Sequence, residues 1–214
     1  MDNLSNREVL LNPYFQKYDS VKRFISYFHQ ADSILKLNPS SVLEIGIGNE
    51  TVSDYIKKRG IRVVTCDFNP DRHPDIVADI RKLPFRENQF DLVAAFEVLE
   101  HIPFSDFEKA LGELKRVAKK HVVISIPRSI FFFEIIFNIS IPHVCKIYSI
   151  LLYFPLFFRK IIFKGNKKIG HHWEIGTRGY PKGKIVKIIN KYFKIKRIFN
   201  PYLNQIHCFF ILDK

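Results

Sequence analysis

The sequence predicts an α/β fold, a doubly wound and mostly parallel sheet with helices on both faces. Three observations predict it. Short apolar runs of strand length recur at Ser41–Ile45, Ile61–Cys66, Ile76–Ala78, Asp91–Phe96 and His121–Ile126. Segments with apolar residues at helical spacing separate several of them. The run Asp91–Phe96 is continuously apolar after its first residue, as suits a strand covered on both faces.

Each element has a local reason. Tyr18–Leu37 places Val21, Phe24, Ile25, Phe28, Ile34 and Leu35 near helical spacing, and Asn38-Pro39 stops it. Ser41–Ile45 is the first strand. Thr51–Arg59 reads as a helix with Gly60 as its stop. Ile61–Cys66 is the second strand, Asp71–Pro74 a turn, and Ile76–Ala78 a short third strand. Asp91–Phe96 is the fourth. Phe104–Ala118 is a helix with Ser105 or Asp106 near its start, and His121–Ile126 is a fifth strand stopped by Pro127. Lys182–Tyr192 is a helix, followed by strands at Ile195–Phe199 and His207–Leu212.

At 214 residues the chain fits one domain with a full core. Residues 1–40 form an N-terminal helical cap, 41–128 the cofactor-binding core, 129–175 a hydrophobic and basic insert, and 176–214 a C-terminal helix and strand pair. Met1–Val9 is polar and carries no signal-peptide pattern. Cys66, Cys145 and Cys208 are odd in number and widely spaced, which points to free thiols in a reducing cytosol. Net charge is +13, and 13 Lys and Arg against the single acid Glu174 lie between Arg159 and Arg197. A basic half of this kind suits an anionic partner: phospholipid, a phosphorylated lipid or sugar, or RNA.

The sharpest signal is Val42-Leu43-Glu44-Ile45-Gly46-Ile47-Gly48, with Asp67 closing the next apolar run. Glycine brings bare backbone to the end of a strand, where a nucleoside can lie against it. Asp67 follows Gly46 by 21 residues, near the ~20-residue spacing at which an acid binds ribose hydroxyls. A third glycine is missing where a dinucleotide fingerprint has one, and Glu50 sits near the helix start instead. A carboxylate there competes with a pyrophosphate. The pattern therefore favours a nucleoside cofactor without phosphate, such as S-adenosylmethionine.

Four pieces in order carry a resemblance: the strand and glycine turn at 42–48, Val63–Asp67, Ala78–Phe85 and Phe90–Ile102. Residues 42–126 resemble the class I S-adenosylmethionine-dependent methyltransferases, in the group that includes small-molecule and lipid methylating enzymes. The resemblance implies a Rossmann-like sheet of seven strands with the last antiparallel. It covers about the first 126 residues well, the last 45 loosely, and leaves the insert unexplained.

The expected cofactor residues follow. Gly46 and Gly48 admit the amino acid part, and Glu44 reaches its amino group. Asp67 accepts both ribose hydroxyls. Asp79 resembles the family acid that accepts from the adenine amine, Phe68 and Ile80 sandwich the purine, and Phe96 lies beside the sulfonium. Tyr14 or Phe15 closes the pocket from the N-terminal side. His101 is the candidate catalytic base, because it follows the fourth strand on the acceptor side. Glu97, Glu100 and His101 form Glu-x-x-Glu-His, and His171 lies in a His-x-aromatic-Glu segment. The Glu-Glu-His set is similar to the one that holds a divalent cation in the small-RNA 2′-O-methyltransferases and the ubiquinone O-methyltransferases, and His171 matches the later histidine of the RNA enzymes. The same string is common in family members with no known metal, so the sequence assigns none.

Residues 129–164 hold uncharged runs of only 11 and 12 residues, at Ile135–Cys145 and Ile147–Phe158. A membrane span needs about 20. Pro142, Lys146 and Pro155 interrupt the segment further. Two readings stay open: a helical lid over the substrate pocket, or an interfacial hairpin flanked by Arg159, Lys160, Lys164, Lys167 and Lys168. The fold prediction carries the first, a helical hydrophobic insert after the fifth strand.

The predicted function is methyl transfer to an oxygen or nitrogen of a small-molecule or lipid-linked acceptor, an anionic acceptor being inferred from the basic half. The alternatives are a metal-assisted RNA ribose 2′-O-methyltransferase and a non-catalytic nucleoside-binding partner subunit. The expected location is cytoplasmic, with peripheral membrane contact through residues 129–168. Oligomeric state is not legible.

Overall fold

A computed structural model describes residues 20–130, 132–141, 144–153 and 170–214. The elements in chain order are α1 (Val21–Leu35), β1 (Ser41–Ile45), α2 (Thr51–Lys58), β2 (Arg62–Asp67), β3 (Ile76–Val77), β4 (Phe90–Phe96), α3 (Phe107–Val117) and β5 (Ala118–Pro127). They continue with β6 (Phe132–Ile141), β7 (Val144–Tyr153), α4 (Lys182–Tyr192), β8 (Lys194–Phe199) and β9 (His207–Asp213). Short 3-10 turns occupy Pro70–Arg72, Leu99–His101 and Phe104–Asp106.

The main sheet has seven strands in the order β3-β2-β1-β4-β5-β9-β8. β1 pairs in parallel with both β2 and β4, and β9 is antiparallel to β5 and β8. This is the expected topology, with the last strand reversed. The order turns around between β1 and β4, so a crevice opens beyond their carboxyl ends.

Alternation along each strand divides the interior into two cores. Leu92, Ala94 and Phe96 face α1 and α2, joining Ile34, Val52 and Ile56. Val93 and Ala95 face α3 and α4, joining Leu111, Leu114, Ile185 and Ile189. α3 buries Phe107, Ala110, Leu111, Leu114 and Val117, one stripe at helical spacing. Truncating fully buried Leu114 to alanine costs about 2–5 kcal/mol on these grounds. Cys66 and Cys208 are buried free thiols within the sheet.

The insert corrects the helical expectation. Its described residues are β6 and β7, which form a separate two-stranded antiparallel sheet with Phe132 opposite Tyr153 and Ile141 opposite Val144. The physical reason is composition: isoleucine and phenylalanine dominate β6, valine, isoleucine and tyrosine make up half of β7, and these branched and aromatic side chains favour extended backbone. Tyr14, Phe15 and the basic run 159–168 lie outside the described residues.

Candidate active site

A cavity of about 560 Å³ lies at the β1–β4 crevice, within the range of roughly 300–1,000 Å³ for small-molecule sites. Glu44, Gly46, Gly48, Asp67, Phe68, Asp79, Ile80, Phe96 and His101 all line it. These nine candidate cofactor and base residues thus share one cavity, whereas Glu100 and His171 are not on its lining and Tyr14 and Phe15 lie outside the described residues.

The turn after β1 explains its glycines. Gly46 has φ +79°, and its N–H donates to the Cys66 carbonyl at 2.8 Å. A Cβ added there would lie 2.3 Å from Val98 Cγ2. Gly48 has φ +57°, and a Cβ there would meet nothing within 4 Å. The turn passes into α2 through Glu50, itself at φ +64°, whose side chain makes no capping bond.

Asp67, at the end of β2, is 5% exposed. One carboxylate oxygen accepts from the Ile47 N–H at 3.2 Å and the other from the Asn69 N–H at 2.9 Å. Two backbone donors therefore fix its orientation, and each oxygen keeps a second lone pair. Glu44 is 4% exposed, and its Oε2 has no partner among the described residues. Burial pushes its carboxyl up to about 8, with the Ser53 side chain opposing.

Asp79 lines the cavity, and the Arg81 guanidinium clasps both its oxygens at 2.6–3.0 Å. Those bonds hold the Asp79 carboxyl below the usual carboxylate range. Arg81 also reaches Asp106 at 2.7 Å. Phe68 is 76% exposed at the rim, whereas Ile80 and Phe96 are buried.

Beyond β4 the chain turns sharply through Glu97 at φ +57°. This aims the Glu97 carboxylate at α1 and β9: Arg23 donates at 2.7 Å, Ser26 at 3.2 Å, and His207 Nδ1 lies 3.2 Å away. Glu97 is therefore drawn away from the other members of its Glu-x-x-Glu-His string. Glu100, His101 and His171 do converge, offering ligand atoms within 4.8 Å of one another.

Glu100 is fully buried, neither carboxylate oxygen has a hydrogen-bond partner among the described residues, and burial pushes its carboxyl well up. His101 Nδ1 lies 3.2 Å from the Gly170 carbonyl, so this nitrogen carries the hydrogen and Nε2 keeps its lone pair. Burial and the neighbouring His171 lower the His101 pKa, which keeps the ring neutral at pH 7. His171 Nδ1 donates to Glu174 at 2.8 Å, and its Nε2 is 4.0 Å from Glu100. The 170–175 segment is held by the His172 N–H on the Glu100 carbonyl (2.8 Å) and by buried Trp173, which donates to the Ile102 carbonyl at 3.2 Å.

Sequence reasoning missed Arg23, Gln30, Arg72 and Arg81, which also line the cavity. Only Arg81 carried a local signal, two residues from Asp79. Arg72 reaches the Gly48 carbonyl at 2.8 Å across the crevice, a contact that no spacing rule reveals.

Residues 43–126 match the family model described as a methyltransferase domain. A demethylmenaquinone methyltransferase of Thermobifida fusca is 29% identical over 125 residues, covering 48% of this chain and 52% of that protein. An uncharacterised protein of Methanocaldococcus jannaschii is 41% identical over 66 residues, covering 29% and 28%. The chain thus spans about half or less of the length of these curated relatives. The N-methyltransferase NodS of Bradyrhizobium japonicum WM9, solved with S-adenosyl-L-homocysteine, superposes with a TM-score of 0.62 at 13% identity, covering 98% of this chain and 95% of that one. Residues 43–126 thus match a methyltransferase domain, and the described residues share the fold of the solved N-methyltransferase.

Proposed function

We propose that this chain transfers the methyl group of S-adenosylmethionine to an oxygen or nitrogen of a small-molecule or lipid-linked acceptor. One observation carries the reading: a single cavity joins the Gly46 turn, the anchored Asp67 and a neutral His101 with a free Nε2. The unpaired Glu44 oxygen and the open space at Gly48 fit an ammonium-bearing cofactor tail. Glu44 would hold the amino group, Asp67 the ribose hydroxyls, and Phe68 and Ile80 the purine. Asp79, already clasped by Arg81, has spare lone pairs for the adenine amine.

When bound, the sulfonium supplies an electrophilic methyl and a neutral thioether leaving group. The protein's work is alignment and exclusion of water. His101 Nε2, which keeps its lone pair, would take the proton of the acceptor's oxygen or nitrogen as that atom accepts the methyl group. Incubating the protein with labelled cofactor and a metabolite and lipid extract tests this. A labelled product that is lost in His101→Ala near pH 7 and partly recovered at high pH, where the acceptor loses its proton unaided, supports the base role. Failure to bind both S-adenosylmethionine and S-adenosylhomocysteine by calorimetry would instead favour a non-catalytic nucleoside-binding partner subunit.

A second reading rests on the Glu100, His101 and His171 cluster. Carboxylate and imidazole ligands suit Mg²⁺, Mn²⁺ or Zn²⁺, and Glu174 orients His171 as an outer-shell carboxylate would. A bound cation would lower the pKa of an acceptor hydroxyl, as a metal-assisted RNA ribose 2′-O-methyltransferase requires. His101 Nε2 serves either as ligand or as base. Unchanged activity after chelation favours the base.

A further inference from the structure

We propose that the outward face of the β6–β7 hairpin docks this protein on an anionic lipid surface, whatever acceptor the active site methylates. Residues directly opposite in an antiparallel pair share a face, as do residues two apart on one strand. Phe133 faces Leu152, Ile135 faces Ile150, and Phe137 faces Tyr148. All six are exposed, between 46% and 55%. On the alternate face both Glu134 oxygens accept from the Leu203 N–H at 3.1 Å, although Ile136 on that face is 38% exposed. One side of the hairpin is therefore rooted at Glu134, and the other is a stripe of six more exposed, large apolar side chains.

Such a stripe on a two-stranded sheet marks a partner surface, since an isolated hairpin in water is marginal. Charge decides which partner. The chain carries +13, so long-range electrostatics favour an anionic partner over a second copy. Immediately beyond β7 the sequence has five cations in ten residues, 159–168, and no acid. It then re-enters the described fold at Gly170, on the cavity lining. Apolar side chains with adjacent cations match a bilayer surface, where tails take the first and lipid phosphates attract the second. The apolar residues lack interleaved cations, which disfavours single-stranded RNA. Both strands are sheet edges with unpaired backbone groups, so the hairpin lies among hydrated headgroups and does not cross the hydrocarbon. No helix among the described residues is long and apolar enough to cross a membrane.

The test is vesicle co-flotation of the full chain with phosphatidylcholine alone and with added phosphatidylglycerol, at low and high salt. A triple variant, Ile135→Thr, Phe137→Thr and Ile150→Thr, keeps strand propensity while removing apolar surface. The expected result is binding to anionic vesicles, weaker in high salt, and at least about tenfold weaker for the variant. Retained S-adenosylhomocysteine affinity in the variant shows that its cofactor site is folded, and keeps this test separate from the methyltransferase reading. Three results overturn the proposal: no flotation with anionic vesicles, equal flotation of the variant, or a parent dimer that the variant converts to monomer.

Discussion

Glu44 makes cofactor binding depend on pH in a way that one substitution removes. Its carboxyl, ordinarily near 4.5, is pushed up to about 8 by burial. Free protein at pH 7 therefore holds it neutral. The ammonium of an incoming free amino acid, beside its own carboxylate, stays protonated over this range, so binding follows the ionised fraction of Glu44. That fraction is about 0.01 at pH 6, about 0.09 at pH 7 and about 0.5 at pH 8. S-adenosylhomocysteine affinity should thus rise about ninefold between pH 6 and 7, with net release of about 0.9 proton at pH 7. In Glu44→Gln this contact no longer titrates, and affinity should change by less than about 1.2-fold over the same interval. Histidine contributions are common to both proteins, so the difference isolates Glu44. The assay is isothermal titration calorimetry in buffers of different ionisation enthalpy. A parent whose affinity is flat from pH 6 to 7, or which releases no proton, refutes the assignment. The same group has a stability signature. Its folded pKa exceeds its unfolded value, so its contribution is full below pH 4.5 and is lost as pH rises through about 8. That span corresponds to about 5 kcal/mol as an upper bound, and urea melts of the ligand-free parent and variant should diverge accordingly.

Other perturbations test neighbouring parts of the site. Gly46→Ala combines φ +79° with a Cβ 2.3 Å from Val98 Cγ2. It should cost about 2–4 kcal/mol in urea melts and abolish cofactor binding, and adding Val98→Ala should recover only part, because the backbone strain remains. Asp67→Ala strips acceptors from the Ile47 and Asn69 N–H groups and should destabilise by about 1–3 kcal/mol. Asp67→Asn keeps one acceptor and should melt closer to the parent, while both variants lose at least about a hundredfold in cofactor affinity by calorimetry. Glu100 is held neutral by burial, so its stabilising contribution is also present at low pH and lost as pH rises through its raised pKa. If the cluster takes Mn²⁺ or Zn²⁺, the metal's thermal shift should be larger at pH 8 than at pH 6 and absent in Glu100→Gln. Equal shifts for both proteins would remove the metal reading.

The parallel core was legible because burial on both faces leaves a one-dimensional mark. Asp91–Phe96 could hardly be anything but a central strand, and α3 shows its stripe in Phe107, Leu111 and Leu114. The insert was not, because its apolar residues are too dense to show a period: Phe132, Phe133, Ile135, Ile136 and Phe137 satisfy helical and extended spacing alike. What distinguishes them is side-chain branching and the single charge at Glu134, which marks the rooted face only once its distant partner at Leu203 is known. The Glu-x-x-Glu-His string fails for a similar reason. Its spacing treats Glu97 and Glu100 as equivalent, yet a left-handed backbone at Glu97 and Arg23, 74 residues earlier, pull one acid to α1. Glu100 is sealed by a segment 70 residues later, through Trp173 and the His172 N–H. Local pattern identified which residues could do chemistry. Long-range packing decided their protonation, leaving Glu44 and Glu100 as buried acids whose lost hydration only a cationic ligand or an adjacent metal could replace.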